Sequence, residues 1–170
     1  KRNGTTNHLL FDSLRGINKS MNSNGTGSED TSSTDKLTSF NSDGFTLGSN
    51  ASNNNNSDTY VAWCWKADGA AVSNSDGSIT SSVSANQTAG FSIISYTGSG
   101  SAATVGHGLG KSPSMIIIKS RSATGNWDVH AFGTIRFSLN LTEANQNNNQ
   151  IQFTNTTFTI PDTNANRNGS

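Results

Sequence analysis

The chain has 170 residues, enough for one domain with a real core. Ser, Thr, Asn and Gly contribute 27, 20, 23 and 17 of them, about half the chain, and apolar residues reach only 31%, well under the roughly 45–50% usual for soluble domains. Eleven basic residues balance eleven acidic ones, which removes both the net charge that usually accompanies disorder and the electrostatic grip needed for a phosphate backbone. Nucleic acid is therefore not expected as a partner. The longest aliphatic run, Met115 to Ile118, is too short to span a bilayer. No charged-then-apolar leader opens the chain, so a signal peptide is expected to be absent or already removed.

Period-two alternation recurs along the chain and helical periodicity is nearly absent. The polar tracts 22–35, 50–58 and 143–150 read as surface loops. Residues 60–67, Tyr-Val-Ala-Trp-Cys-Trp-Lys-Ala, are apolar on both faces and predict an inner strand, with Tyr60, Trp63, Cys64 and Trp65 in the core. Phe91–Tyr96 and Met115–Lys119 are β-branched runs of strand length, placing Phe91, Ile93, Ile116 and Ile118 in that core. Trp127–Ala131 alternates. So do residues 135–142, where Ile135, Phe137, Leu139 and Leu141 face inward and Arg136, Ser138, Asn140 and Thr142 face water. Asp43-Gly44, Asp68-Gly69, Asp76-Gly77 and Thr124-Gly125-Asn126 supply the turns between strands. Many short strands with such turns predict an all-β fold, an antiparallel β-sandwich or jelly roll with long Asn/Ser-rich loops.

An internal repeat adds organisation. Ser39–Leu47 resembles Gln152–Ile160: Phe40 matches Phe153, Phe45 matches Phe158, Thr46 matches Thr159 and Leu47 matches Ile160, all at an offset of 113. Each copy then enters an Asn-rich loop, and Ser57 falls opposite Ser170. A fainter echo pairs Ser20-Met21-Asn22 with Ser138-Leu139-Asn140. The simplest reading is one and a half copies of a unit, cut within a unit at both ends. Residues 1–85 and 86–170 then form complementary halves of one sandwich domain spanning 1–170. The 60–67 strand is expected to lie beside 91–96 and 115–119, with strand donation between chains as the other way to complete the second copy.

The motifs that could carry chemistry are thin. Gly106-His-Gly-Leu-Gly-Lys-Ser112 resembles a phosphate loop, but Val105 stands where that loop needs its first glycine, and a strand follows it instead of a helix. Its glycines suit a close-packed corner between strands, with His107 bonded to nearby backbone. His8 and His130 have no ligand spacing between them. The identical Asn41-Ser-Asp-Gly44 and Asn74-Ser-Asp-Gly77 offer one carboxylate each, too few oxygens for calcium, and read as turns. Glu29 and Glu143 are the only glutamates, so a paired-carboxylate glycosidase is poorly supplied. Cys64 alone can make neither an internal disulfide nor a zinc site and reads as a buried, inert thiol. The nine Asn-x-Ser/Thr sequons follow from composition and do not imply glycosylation. No catalytic, metal or cofactor site is expected.

Several joined stretches resemble repeats found in large structural proteins of marine bacteriophages. They are Leu37-Thr-Ser-Phe-Asn-Ser-Asp-Gly-Phe-Thr-Leu-Gly48, Tyr60-Val-Ala-Trp-Cys-Trp-Lys66, Val83-Ser-Ala-Asn86, Ala89-Gly-Phe-Ser-Ile-Ile-Ser-Tyr-Thr-Gly98, Thr104-Val-Gly-His-Gly-Leu-Gly110 and Pro113-Ser-Met-Ile-Ile-Ile-Lys119. Arg121 and Trp127 follow, and Phe11-Asp-Ser-Leu-Arg-Gly16 fits the tail of a preceding copy. The resemblance implies a non-enzymatic role in a tail fibre or on the virion surface. It also implies partners among other copies or other virion proteins, and brings no catalytic residues. Two alternatives remain: a secreted adhesin or extracellular filament subunit, and a lectin-like module. For the lectin, Trp127 beside the Gly125-Asn126 turn is the candidate for stacking on host glycans, against its reading as a core indole.

Overall fold

The computed structural model describes residues 1–146 and 151–160. Turn chemistry cuts the chain into short strands: β1 (Leu9–Leu10), β2 (Met21–Asn22), β3 (Leu37–Phe40), β4 (Phe45–Leu47), β5 (Val72–Asn74), β6 (Ser81–Asn86) and β7 (Phe91–Tyr96). Then come β8 (Ala103–Gly106), β9 (Met115–Ile118), β10 (Asp128–Ala131), β11 (Ile135–Ser138) and β12 (Thr157–Ile160). Asp43-Gly44 and Asp76-Gly77 both fall between paired strands. One helical turn, α1 (Ala51–Asn54), interrupts the polar tract 50–58. The Asn50 side chain caps it by accepting from the Ser52 N–H.

The fold is all-β with antiparallel pairing, but its sheets are small and open. Pairs β1–β2, β3–β4 and β8–β12 stand beside two three-stranded sheets, ordered β5-β6-β7 and β11-β10-β9. A closed sandwich or jelly roll, expected from the strand count, does not form among the described residues. The boundary expected between halves at 85/86 falls inside β6, whose register with β7 runs unbroken from Ser81↔Tyr96 to Asn86↔Phe91.

The core gathers where β8, β9 and β12 meet. Val105, Ile151, Phe158 and Ile160 are fully enclosed, Ile118 joins them, and Ile79, Ile94, Tyr96, Ile116 and Phe153 pack around the cluster. Tyr96 meets Phe158 edge-on at 6.1 Å, the geometry aromatic quadrupoles prefer. A chain this poor in apolar residues also buries serines, each with its hydroxyl satisfied. Ser81 Oγ donates to Gly106 O at 3.0 Å and Ser84 Oγ to Gly69 O at 3.0 Å.

Two predicted strands need correction. Residues 60–67 form no strand: Trp63, Cys64 and Trp65 are exposed and Tyr60 is half-buried. The cause lies in the neighbouring ladder. β5 pairs with β6 only from Val72 onward. Before it, side chains replace backbone bonds, with Asn86 Nδ2 donating to Lys66 O and Ser84 Oγ to Gly69 O. Gly69, at φ 64°, turns the chain away. Residues 135–142 are strand only to Ser138, because the Glu143 carboxylate takes the Ser138 N–H and Leu141 N–H turns back to Ser138 O. Leu139 and Leu141 therefore lie exposed, and Ser138 is buried. Of the tract 143–150, residues 147–150 lie outside the described residues, as do 161–170 with Ser170.

Candidate functional site

His107 sits 1% exposed at the end of β8. Its Nδ1 accepts from Leu109 N at 3.1 Å, so Nε2 carries the proton and donates to Thr154 O at 3.2 Å. Burial pushes its pKa below the ordinary histidine value, against the opposing hydrogen bond to Thr154. Both ring nitrogens are spent on backbone, so His107 pins the 152–157 turn to β8. The surrounding glycines are there for close approach: a Cβ on Gly106 would fall 1.6 Å from Asn74 Oδ1, and Gly108, at φ 71°, lies against Val83 and Ala85. This is a packed corner, not a cradle for phosphate.

Trp127 is the reverse of an exposed stacking residue. It is 7% exposed, and its indole N–H donates to Asn22 O at 2.8 Å, joining the N-terminal segment to β10. The lectin expectation at Trp127 is thereby corrected, and the core reading holds. Ile118 is buried, and Phe91, Ile93 and Ile116 are half-buried. Phe91 is covered by Trp65 at a ring separation of 6.4 Å.

Two polar clusters went unread in the sequence. Glu29, at 8% side-chain exposure, accepts from Arg121 Nε and Nη2 at 3.0 and 2.9 Å and from Arg15 Nη1 at 3.1 Å. Arg121 also donates to Ser95 Oγ, so the cluster clasps the N-terminal segment onto β7 and the loop after β9. Burial opposes the charge on Glu29, but the bonds and charges of Arg121 and Arg15 outweigh it and hold the carboxyl below its usual range. The second cluster lies on β10 and β11, where Arg136 Nε donates to buried Asp128 Oδ1 at 3.1 Å and Ile151 N donates to His130 Nδ1. Asp128 and His130 alternate on one face of β10, and the paired register sets Arg136 opposite His130. The clasp spans 92 residues of sequence, and no local pattern could have announced it. The second cluster left only the alternation of Asp128 and His130 as a signal. The Asn74-Ser-Asp-Gly77 turn bonds to itself, with Asn74 Oδ1 accepting from Asp76 N. Among the described residues no group of three or more His, Cys, Asp or Glu is placed to hold a metal, and no helix is long and apolar enough to cross a membrane.

What the surface offers is apolar. Val61, Trp63 and Trp65 are 54%, 74% and 65% exposed in a segment outside any strand. Phe40 and Phe45 project from the β3–β4 hairpin, and Met115 and Ile117 from the sheet edge β9. The two grooves beside the sheets are open and lined mainly by Ser, Thr and Ala. These features define an all-β domain whose exposed side chains include several large apolar ones. The chain belongs to a family described as a domain of unknown function, DUF7483, whose profile covers residues 1–170. No curated protein and no solved structure matches it.

Proposed function

We propose that this domain is a non-enzymatic structural and adhesion module of a bacteriophage particle, in a tail fibre or another surface protein. It assembles with other copies of itself or with other virion proteins. The phage part of the reading rests on the resemblance of Leu37–Lys119 to repeats of phage structural proteins. The observation that carries assembly is the group Val61, Trp63 and Trp65, three large apolar side chains each more than half exposed within five residues. Exposed apolar groups arranged together mark contact sites, and tryptophan is among the residues that dominate interface energetics. The surface around them is largely uncharged Asn, Ser and Thr, suited to the exterior of a particle. Contact with host glycans is a second reading, now favoured by the exposed Trp63 and Trp65 indoles.

Antibody labelling of the source material under the electron microscope tests the reading. Label on tails or on the particle surface supports it. Label on bare filaments or cell surfaces, with particles unlabelled, overturns it in favour of an adhesin. Glycan binding by the wild type that disappears in Trp63→Ala, without any self-association, would favour the lectin reading.

A further inference from the structure

The strand ladders divide the chain at one place. Among the described residues, β1–β2 and β3–β4 lie before residue 60, and every other strand pair lies after residue 67. The enclosed core, built from residues between Ile79 and Ile160, belongs wholly to the second part. The first part is tied down by a compact dock between 22–29 and 121–127. Trp127 Nε1 donates to Asn22 O at 2.8 Å, Gly125 N to Thr26 O at 2.9 Å and Glu29 N to Arg121 O at 2.9 Å, and the Arg121 guanidinium holds the Glu29 carboxylate. Arg15, the second partner of that carboxylate, lies in the same part as Glu29. The connector between the parts is anchored only at its ends. Tyr60 Oη accepts from Asn55 N on one side, while Trp65 rests on Phe91 and Lys66 O accepts from Asn86 Nδ2 on the other. Val61, Ala62, Trp63 and Cys64 between them are exposed, uncharged and outside any strand.

We infer that this domain pairs with a second copy of itself by exchanging residues 1–60. The 22–29 segment of each chain then docks on Arg121 and Trp127 of the other, and residues 61–64 are the hinge. No ladder crosses that hinge, so the first part undocks without unpairing a strand or opening the enclosed core. The dock itself names the occupant. Buried Trp127 and the Glu29–Arg121 pair fit the 22–29 segment, and a second copy carries that segment unchanged. Exchange restores each contact that undocking breaks, which is why an identical element passes between protomers at low cost. What favours the pair over the single chain is the hinge. In the exchanged pair both hinges bridge the same two bodies, related by a two-fold axis. There Val61 and Trp63, 54% and 74% exposed in the single chain, gain apolar neighbours. The inference rests on the assembly reading above and names the partner and surface for it.

Two full-length variants test the exchange. Glu29→Arg spoils the docking segment and leaves the surface intact, and Arg121→Glu does the reverse. Each alone sets like charges against each other, within a chain and between identical chains. Mixed, a pair of unlike chains regains one native dock, and its other dock joins the two substituted side chains, again opposite in charge. Native mass spectrometry should show the heterodimer in roughly tenfold or greater excess over either homodimer. The wild type decides the matter independently of how the variants fold. In a dimer made from equal amounts of ¹⁵N- and ¹³C-labelled chains, the Trp127 indole N–H of one label should show nuclear Overhauser contacts to Asn22 of the other. Val61→Ser combined with Trp63→Ser should weaken that dimer roughly tenfold or more and leave the monomer spectrum otherwise unchanged. Three results would overturn the inference: a wild type that stays monomeric at millimolar concentration, a dimer whose Trp127–Asn22 contacts stay within one label, or folded variants that mix without excess heterodimer. Any of them removes the exchange without touching particle localisation, which the antibody labelling decides separately.

Discussion

Trp127 and the pair Trp63 and Trp65 both sit in runs that the sequence marks as strands, the first alternating and the second apolar on both faces, each near a Gly-containing turn. Their fates are opposite. Trp127 enters β10, the middle strand of its sheet, and every residue from Trp127 to Ala131 is buried. Residues 61–66 have no ladder on either side among the described residues and are all exposed, with Trp65 resting on Phe91. The backbone explains the contrast better than the side chains do. An apolar or alternating run becomes a buried strand only where its N–H and C=O groups find neighbours. β9 and β11 supply them to β10, whereas β6 meets Lys66 and Gly69 only through the side chains of Asn86 and Ser84.

The sharpest break between the two regions is energetic. Trp127→Ala removes a buried indole together with its bond to Asn22 O, and is expected to cost about 3–5 kcal/mol in urea unfolding. A cost under about 1 kcal/mol would dissolve the contrast. Next in size is the clasp that secures the N-terminal segment. Glu29→Ala leaves Arg15 facing a lost partner at 8% side-chain exposure and should cost about 3 kcal/mol.

The clasp also predicts an acid limb. The folded pKa of Glu29 lies below its unfolded value, so as pH drops the unfolded state takes up the proton first. The stabilisation is fully present above the usual glutamate value of about 4.3 and is lost as pH falls through the lower folded value. Asp30 behaves alike, with hydrogen bonds from Lys36 and Ser32 holding its carboxyl far below the usual range. Below about pH 5 urea midpoints should fall through these carboxylates, less steeply in Glu29→Gln, in addition to the loss that His107 brings from about pH 6.5 downward.

His107 acts nearer neutrality. Burial lowers its pKa, so between the folded value and the unfolded value of about 6.5 the unfolded state binds more protons. Its contribution is complete above that window and declines as pH drops through it. A ¹H NMR titration should place the His107 midpoint below 6.5, and a midpoint at or above that value would contradict the packed corner.

The smallest effect is expected where sequence alone points to a large one. Trp63→Ala should change stability by no more than about 0.5 kcal/mol, and Cys64 should react with a thiol reagent in the native protein.

Much of the local structure was legible. Phe91–Tyr96, Met115–Ile118 and Asp128–Ala131 are strands where alternation or β-branching put them, and the Phe40/Phe153 correspondence became two hairpins with one register. The glycine corner and a His107 bonded to nearby backbone were also readable, and the Leu109 N–H is that local partner, but Thr154 O, which takes the other nitrogen, lies 47 residues away. Burial was not. Alternation tells which residues share a face, but whether another element covers that face depends on distant chain, as with Trp127 and Asn22 or Glu29 and Arg121. The helical turn at Ala51–Asn54 was hidden in an asparagine run, where Asn50 serves as cap instead of loop.

Acrylamide quenching of tryptophan emission in dilute protein tests the central contrast most directly. Two variants separate the indoles: Trp127→Phe leaves Trp63 and Trp65, and Trp63→Phe with Trp65→Phe leaves Trp127. The first should emit at long wavelength and quench almost as readily as free tryptophan. The second should emit at short wavelength and resist quenching. A shielded Trp63–Trp65 pair beside an accessible Trp127 would contradict the account.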